Sequence, residues 1–209
     1  IRKTEDGYVV TEFYPNVSWA KKHNTINCPV GHQIYEGRWL HDPAYINQYI
    51  IFHFSEAGNA GGETKVYSNW LTDAVYAHYL VTGDKAFVTG LIDDLIANHR
   101  AYSRDGKGGG AKSRFLQDIG LYWQIDSWDG GEHSIGGSGV RPTINSYIYG
   151  SAFAISKIAT LAGKNEIANT YRKEAETLKQ LIQTKLWDPE AKFFKVLRDK
   201  RARSNYKSD

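Results

Sequence analysis

The chain has no methionine, one cysteine and five prolines among its 209 residues. A lone Cys28 rules out an internal disulfide, and without a second cysteine or a Cys/His pair beside it, it makes a poor metal ligand. It reads as a buried thiol, and neither a metal nor a cofactor is expected. Long apolar runs are also missing. No stretch approaches the ~20 residues that cross a bilayer, and Ile1-Arg2-Lys3 opens no signal-peptide core, so no membrane partner is expected. A chain without Met reads as a processed or excised segment, or as one whose modified methionines are not written out. Nor is there an excess of one charge. The formal net charge is +3, and its basic excess gathers in Arg198–Lys207 rather than along a face interleaved with aromatics, which excludes a nucleic-acid partner.

What is present points to a packed domain. A content of 41% hydrophobic and 23% charged residues suffices for one globular core. The 6 Trp and 14 Tyr are the kind of flat amphipathic rings that suit sugar faces, although most such rings serve as core. Residues 1–41, broken by Pro15, Pro29 and Gly31, read as irregular loops or short strands laid across a helical body. Residues 42–197 form that body and 198–209 a basic tail.

Asp42-Pro43 is a helix-start signal and opens a helix from Ala44 to Glu56, ended by Gly58 and Gly61-Gly62. A second helix is predicted from Asn69 to Thr82, with Gly83 just past its end, and a third from Lys85 to Tyr102, capped by Asp84. The stretch Asp105–Lys112 is a glycine-rich loop lacking the GK[ST] ending of a phosphate cradle. Further helices run over Thr143–Ala162 and Asn165–Leu186, the latter amphipathic with Ile167, Tyr171, Ala175, Leu178 and Ile182 on one face. Helix, glycine turn, helix thus recurs, which predicts an all-α fold of helical hairpins, a toroid or solenoid.

The segment Gly120–Gly137 carries three carboxylates, Asp126, Asp129 and Glu132, between Trp123, Trp128 and a glycine-rich exit. A carboxyl beside indoles keeps its proton near neutrality, as a general acid for glycosidic cleavage must. Asp129, directly after Trp128, fits. The same residue types also serve as turn caps, and a calcium loop is disfavoured because EF-hand spacing is absent. A second constellation is Arg38, Trp39 and Asp42: a stacking ring, a fork of donors and a carboxylate, the last equally explained as a cap. Trp70 and Asp73 share a helical face, and Arg141 with Asn145 opens the fourth helix where a polar or anionic group can bind. Core packing explains Trp70 nearly as well, and a Thr143 cap explains much of the rest.

Three motifs carry a family resemblance. Tyr79-Leu-Val-Thr-Gly-Asp-Lys-Ala-Phe87, Leu186-Trp-Asp-Pro-Glu-Ala-Lys-Phe-Phe194 and Ser127-Trp128-Asp129 followed by Asn145-Ser146-Tyr147 resemble segments of the (α/α)6-barrel inverting glycoside hydrolases. That group includes trehalase, processing α-glucosidase and mannosylglycerate-hydrolase-like enzymes. The resemblance implies a six-hairpin toroid with a short strand near the C-terminus, continuing beyond residue 209 or completed by a second chain. It also implies an O-glycosidase with Asp129 as general acid and a base in the later hairpins, the two carboxyls roughly 6.5–9.5 Å apart. Arg38, Trp39, Asp42, Trp70, Trp123, Asp126, Trp128, Glu132, Arg141 and Asn145 would bind the sugar. The chain departs from the pattern in having Asp126 near the family's Glu and Gly130-Gly131-Glu132-His133 in place of Asn-Ser-Pro-Arg. Relatives that degrade sugars suggest a periplasmic or extracellular location. Two alternatives remain: a non-catalytic carbohydrate-binding or scaffold protein on the same toroid, and a polysaccharide lyase, for which Tyr122 and His133 are the hint.

Overall fold

The computed structural model describes residues 1–59, 67–105, 113–130 and 136–199. Strands β1 (Arg2–Thr4) and β2 (Gly7–Val9) form a hairpin, pinned to the next helical layer where Tyr8 N–H donates to Gln48 Oε1 at 3.0 Å. Helices then follow as α1 (Val30–Gly37), α2 (Ala44–Phe54), the short α3 (Glu56–Asn59), α4 (Leu71–Thr82), α5 (Lys85–Gly90), α6 (Ile92–Ala101), α7 (Pro142–Leu161) and α8 (Asn165–Lys185). Between α6 and α7 lie three short strands, β3 (Phe115–Leu116), β4 (Leu121–Gln124) and β5 (Gly139–Val140), paired antiparallel in the order β3-β4-β5. A last hairpin, β6 (Trp187–Asp188) with β7 (Phe193–Phe194), supplies the expected strand near the C-terminus.

The architecture is the helical-hairpin fragment of an (α/α) toroid. Helices α1, α4 and α7 pack side by side in that order, and each is followed by a return helix, α2, α6 and α8. The α7–α8 pair shows how pattern becomes packing. Tyr171, Ala175, Leu178 and Ile182 of α8 are buried, at the helical spacing read from the sequence, with Ala168 buried and Ile167 half-buried in the first turn, while the intervening Lys and Glu other than half-buried Glu174 face solvent. Each fully buried large apolar side chain of this kind contributes roughly 1.5–3 kcal/mol. The α4–α5 turn also forms as its residues dictate. Gly83 sits in the left-handed region at φ 68°, and Asp84 Oδ1 accepts from Phe87 N–H at 2.9 Å.

Three expectations of local structure are revised. Helices begin before Asp42, because Val30–Gly37 is helical with Val30, Gly31 and Ile34 buried. Gly31 is a contact residue, not a breaker: a Cβ there would lie 2.8 Å from the Trp70 indole, so only glycine lets α1 approach the start of α4. The helix predicted over Lys85–Tyr102 is divided at Leu91, next to Gly90, whose weak helix propensity favours a break. Finally, Leu121–Gln124 is a strand buried on both faces, so it shows none of the alternation that marks a half-exposed strand. The glycine-rich residues 106–112, Gly61-Gly62 and the tail from 200 onward lie outside the described residues.

Candidate active site

The sequence ahead of and within the first turns of α1, α4 and α7 brings aromatic rings together. His32 of α1 meets Trp70 edge-on, centroids 5.0 Å apart at 87°, and Trp70 faces Tyr147 of α7 at 6.5 Å and 32°. Tyr35, one turn along α1, lies 5.4 Å from the same indole. Arg38 stacks on Tyr35 at 3.2 Å and reaches the Trp39 ring at 4.7 Å. His32, Tyr35 and Trp39 are exposed and Trp70 and Tyr147 half-buried, so the arc offers ring faces to a ligand. Asp73, one turn after Trp70, lies against α7, where a Cβ at Gly150 would stand 3.4 Å from its Cγ. Burial raises its pKa.

The acidic loop is laced to this arc. After β4 the chain makes a 3-10 turn over Asp126–Trp128 and reaches Asp129 in extended conformation. Ser68 N–H donates to Trp128 O at 3.0 Å, Gln124 Nε2 donates to Ser68 Oγ at 3.1 Å, and the Tyr102 hydroxyl donates to Tyr67 O at 2.8 Å. The segment leading into α4 and the loop leading to α7 are therefore one unit.

Arg141, just before α7, gathers the loop's carboxylates. Its Nε donates to Asp129 Oδ2 at 2.6 Å, and its Nη1 donates to Asp126 Oδ1 at 2.7 Å and to Gly137 O at 2.5 Å. Asp129 is fully buried. Burial raises its pKa, and the Ser68 hydroxyl, Arg141 and the Gly130 amide oppose that rise. Its Oδ1 meets no donor in full hydrogen-bond geometry, and the Ser68 hydroxyl and Gly130 amide are the donors beside the carboxyl that hold its pKa down. A carboxyl so placed has one oxygen fixed by a guanidinium and the other near two weaker donors.

Other predicted site residues go elsewhere. Asn145 is wholly buried and acts as a strand partner: Oδ1 accepts from Tyr122 N–H at 2.8 Å, and Nδ2 donates to Tyr122 O at 2.7 Å and Arg141 O at 2.8 Å. Its amide joins Arg141 O to β4. Trp123 is core, 1% exposed, with Nε1 donating to Ser113 O at 3.0 Å. Asp42 is exposed and accepts from Ala44 N–H at 2.9 Å, the capping role that also explained it in the sequence. Trp128 is half-buried between the loop and Arg114. Glu132 and His133 lie outside the described residues.

Cys28, read from the sequence as a buried thiol, is half-buried, and it helps raise the pKa of the Tyr102 and Tyr147 phenols, for which burial is the leading cause. Sequence reasoning passed over other neighbours. Arg114 follows a glycine-rich stretch and carries no motif, yet it packs on Trp123. A local signal existed only for α1, where Pro29 stands at the helix start. Among the described residues one cluster has the composition of a metal site, Glu5, Asp6 and His23, with ligand atoms within 4.8 Å of one another. Lys22 Nζ already sits there, 2.6 Å from Asp6 Oδ2 and 3.1 Å from Glu5 Oε1, so the cluster is satisfied by an ammonium.

Beside the acidic loop, the C-terminal hairpin is clipped to β5, with Val140 N–H donating to Leu197 O at 2.9 Å and Leu197 N–H to Val140 O at 3.1 Å. A cleft of about 580 Å³ opens there, between Arg141–Thr143 and Phe193–Val196.

Comparison with known proteins locates this arrangement. Residues 22–207 match the Mannosylglycerate hydrolase MGH1-like glycoside hydrolase domain. A solved structure named "Sialidase" is similar over 96% of this chain at 39% identity and a TM-score of 0.84, and the match spans 18% of that protein's length. No curated protein sequence matches.

Proposed function

The chain belongs to the MGH1-like glycoside hydrolase family, and from that premise we propose that it cleaves O-glycosidic bonds by inversion, with Asp129 as general acid. The observation that carries the proposal is the Asp129 carboxyl. It is buried, pushed towards its protonated form, held at Oδ2 by Arg141 and without a hydrogen-bond partner at Oδ1. An acid must keep a proton near neutrality and deliver it to the departing oxygen, and burial shifts Asp129 in the direction of the first condition. Arg141 supplies the second. By fixing one oxygen it orients the other, and after proton transfer it stabilises the carboxylate that forms.

The aromatic arc of His32, Tyr35, Trp70 and Tyr147 would form the stacking wall for the sugar, with Arg38 and Trp39 extending it. Inversion also requires a second carboxyl on the opposite sugar face, roughly 6.5–9.5 Å from the first. This chain spans 18% of the length of the similar solved protein, and we assign the base to later hairpins of a completed toroid. The test is turnover of a panel of glycosides by the full-length protein and its Asp129→Asn variant. Undiminished turnover in the variant removes Asp129 from the acid role.

A second reading has its own observation. Asp73 is half-buried rather than fully buried, lies one helical turn from Trp70 and also has its pKa raised by burial. Loss of activity in Asp73→Asn, with Asp129→Asn active, would transfer the acid role to Asp73.

A further inference from the structure

Arg114 is a buried cation whose charge the described residues leave unanswered. Its backbone is fixed on both sides, N–H donating to Tyr102 O at 2.8 Å and carbonyl accepting from Trp123 N–H at 2.8 Å. The side chain lies over the Trp123 indole at 4.2 Å, with the Trp128 ring at 5.6 Å. Only 1% of the residue is exposed, yet Nε and Nη2 have no hydrogen-bond partner. Burial lowers its pKa to about 10, which leaves it cationic at neutrality. Among the described residues the acidic-loop carboxylates, Asp126 and Asp129, are both engaged by Arg141.

Burying a guanidinium with two idle donors is costly, and two indole faces offset only part of that cost. The idle atoms are not scattered over the group. Nε and Nη2 form one edge of the planar fork, the edge that meets both oxygens of a carboxylate in parallel. We propose that this edge of Arg114 is a carboxylate-binding site and that the ligand is a sugar acid, a hexuronate or nonulosonate residue. The indoles of Trp123 and Trp128 flank the guanidinium, and Trp128, the half-buried one of the two, is the ring that would have to shift to admit the carboxylate. Trp128 directly precedes Asp129, which links this site to the proposed acid through one residue of backbone. The inference rests on the glycosidase reading and narrows its substrate to acidic sugars.

Calorimetric titration of the full-length protein with D-glucuronate, N-acetylneuraminate and their uncharged methyl esters tests it. The acid of at least one pair should bind roughly 10- to 100-fold tighter than its ester, the span expected of a paired charge-assisted contact. Added salt should erode the difference. Arg114→Gln should abolish the preference while leaving affinity for the ester unchanged. Arg114→Lys, which keeps the charge but loses the paired edge, should lose most of it, and it serves as the test where the Gln variant does not fold. Equal binding of acid and ester by the unmodified protein, binding of neither, or a preference that survives both substitutions overturns the proposal. These outcomes are separate from the Asp129 test: neutral glycosides turned over by an Asp129-dependent enzyme would uphold the glycosidase and sink the acid-sugar site.

Discussion

Arg141 Nε and Asp129 Oδ2 meet at 2.6 Å with 3% and 0% of their side chains exposed, so the proposed acid is hydrogen-bonded to a buried guanidinium. Such a pair tolerates loss of a partner poorly, because the survivor is left charged and dry. The same Arg141 is held from behind by Asn145, whose side chain joins Arg141 O to β4.

For the acid itself, Asp129→Asn should lower kcat by roughly two to four orders of magnitude on glycosides with poor leaving groups. Aryl glycosides whose phenol departs without protonation should lose far less. Steady-state rates across a leaving-group series give the slope, and a uniform loss across the series would argue against proton donation.

Asn145→Ala removes contacts to Tyr122 N–H, Tyr122 O and Arg141 O inside the core. Destabilisation of about 3 kcal/mol is expected, measured by urea denaturation at neutral pH. Asn145→Asp should not rescue it, since an aspartate cannot donate to the two carbonyls.

Two tryptophans proposed together from the sequence should separate by phenotype. Trp123→Ala, in the core, should cost ~3–5 kcal/mol of stability. Trp70→Ala should leave the fold largely intact and raise KM about 10-fold, as loss of a stacking face does. A paired measurement of denaturation midpoint and KM distinguishes the two.

Asp73 predicts a pH signature. Its pKa is raised in the folded chain by burial, above the ordinary aspartate value of 3.8. Below 3.8 both states are protonated and the site costs nothing. As pH rises from there towards the folded value, the unfolded chain releases its proton first, so stability falls, and the full penalty persists above the folded pKa. Asp73→Asn should therefore be more stable than the parent at neutral pH, with the advantage fading on acidification, in melting curves from about pH 3 to about pH 8, a range that spans carboxyl titration.

How much of this was legible depended on how local its causes are. The Gly83-Asp84 turn could be read directly, because a left-handed glycine and an aspartate cap are chemistry of adjacent residues. Helix α8 was legible from its period, and Asp126, Asp129 and Arg141 were each legible as candidates, but in separate segments that only the fold brings together. Helix α1 was not, despite Pro29 at its start, because Gly31 answers to the Trp70 ring about 40 residues away in sequence rather than to its own turn. Strand β4 hid for a related reason, being covered on both faces. Asn145 looked like a ligand residue at a helix start, and nothing near it announced that its amide serves Tyr122 across the chain.

The single hydroxyl of Tyr102 accepts from Asn69 N–H at 3.2 Å and donates to Tyr67 O at 2.8 Å, while Ser68 N–H is spent on Trp128 O. Residues 67–69 belong to no helix or strand, yet Ser68, Asn69 and Tyr102 are all buried. Their amide protons should exchange with solvent only when the surrounding core opens, not with the timescale of surface loops. The irregular backbone beneath the candidate active site thus belongs to the slow-exchanging part of the protein, and hydrogen exchange would report it alongside α4 and α7.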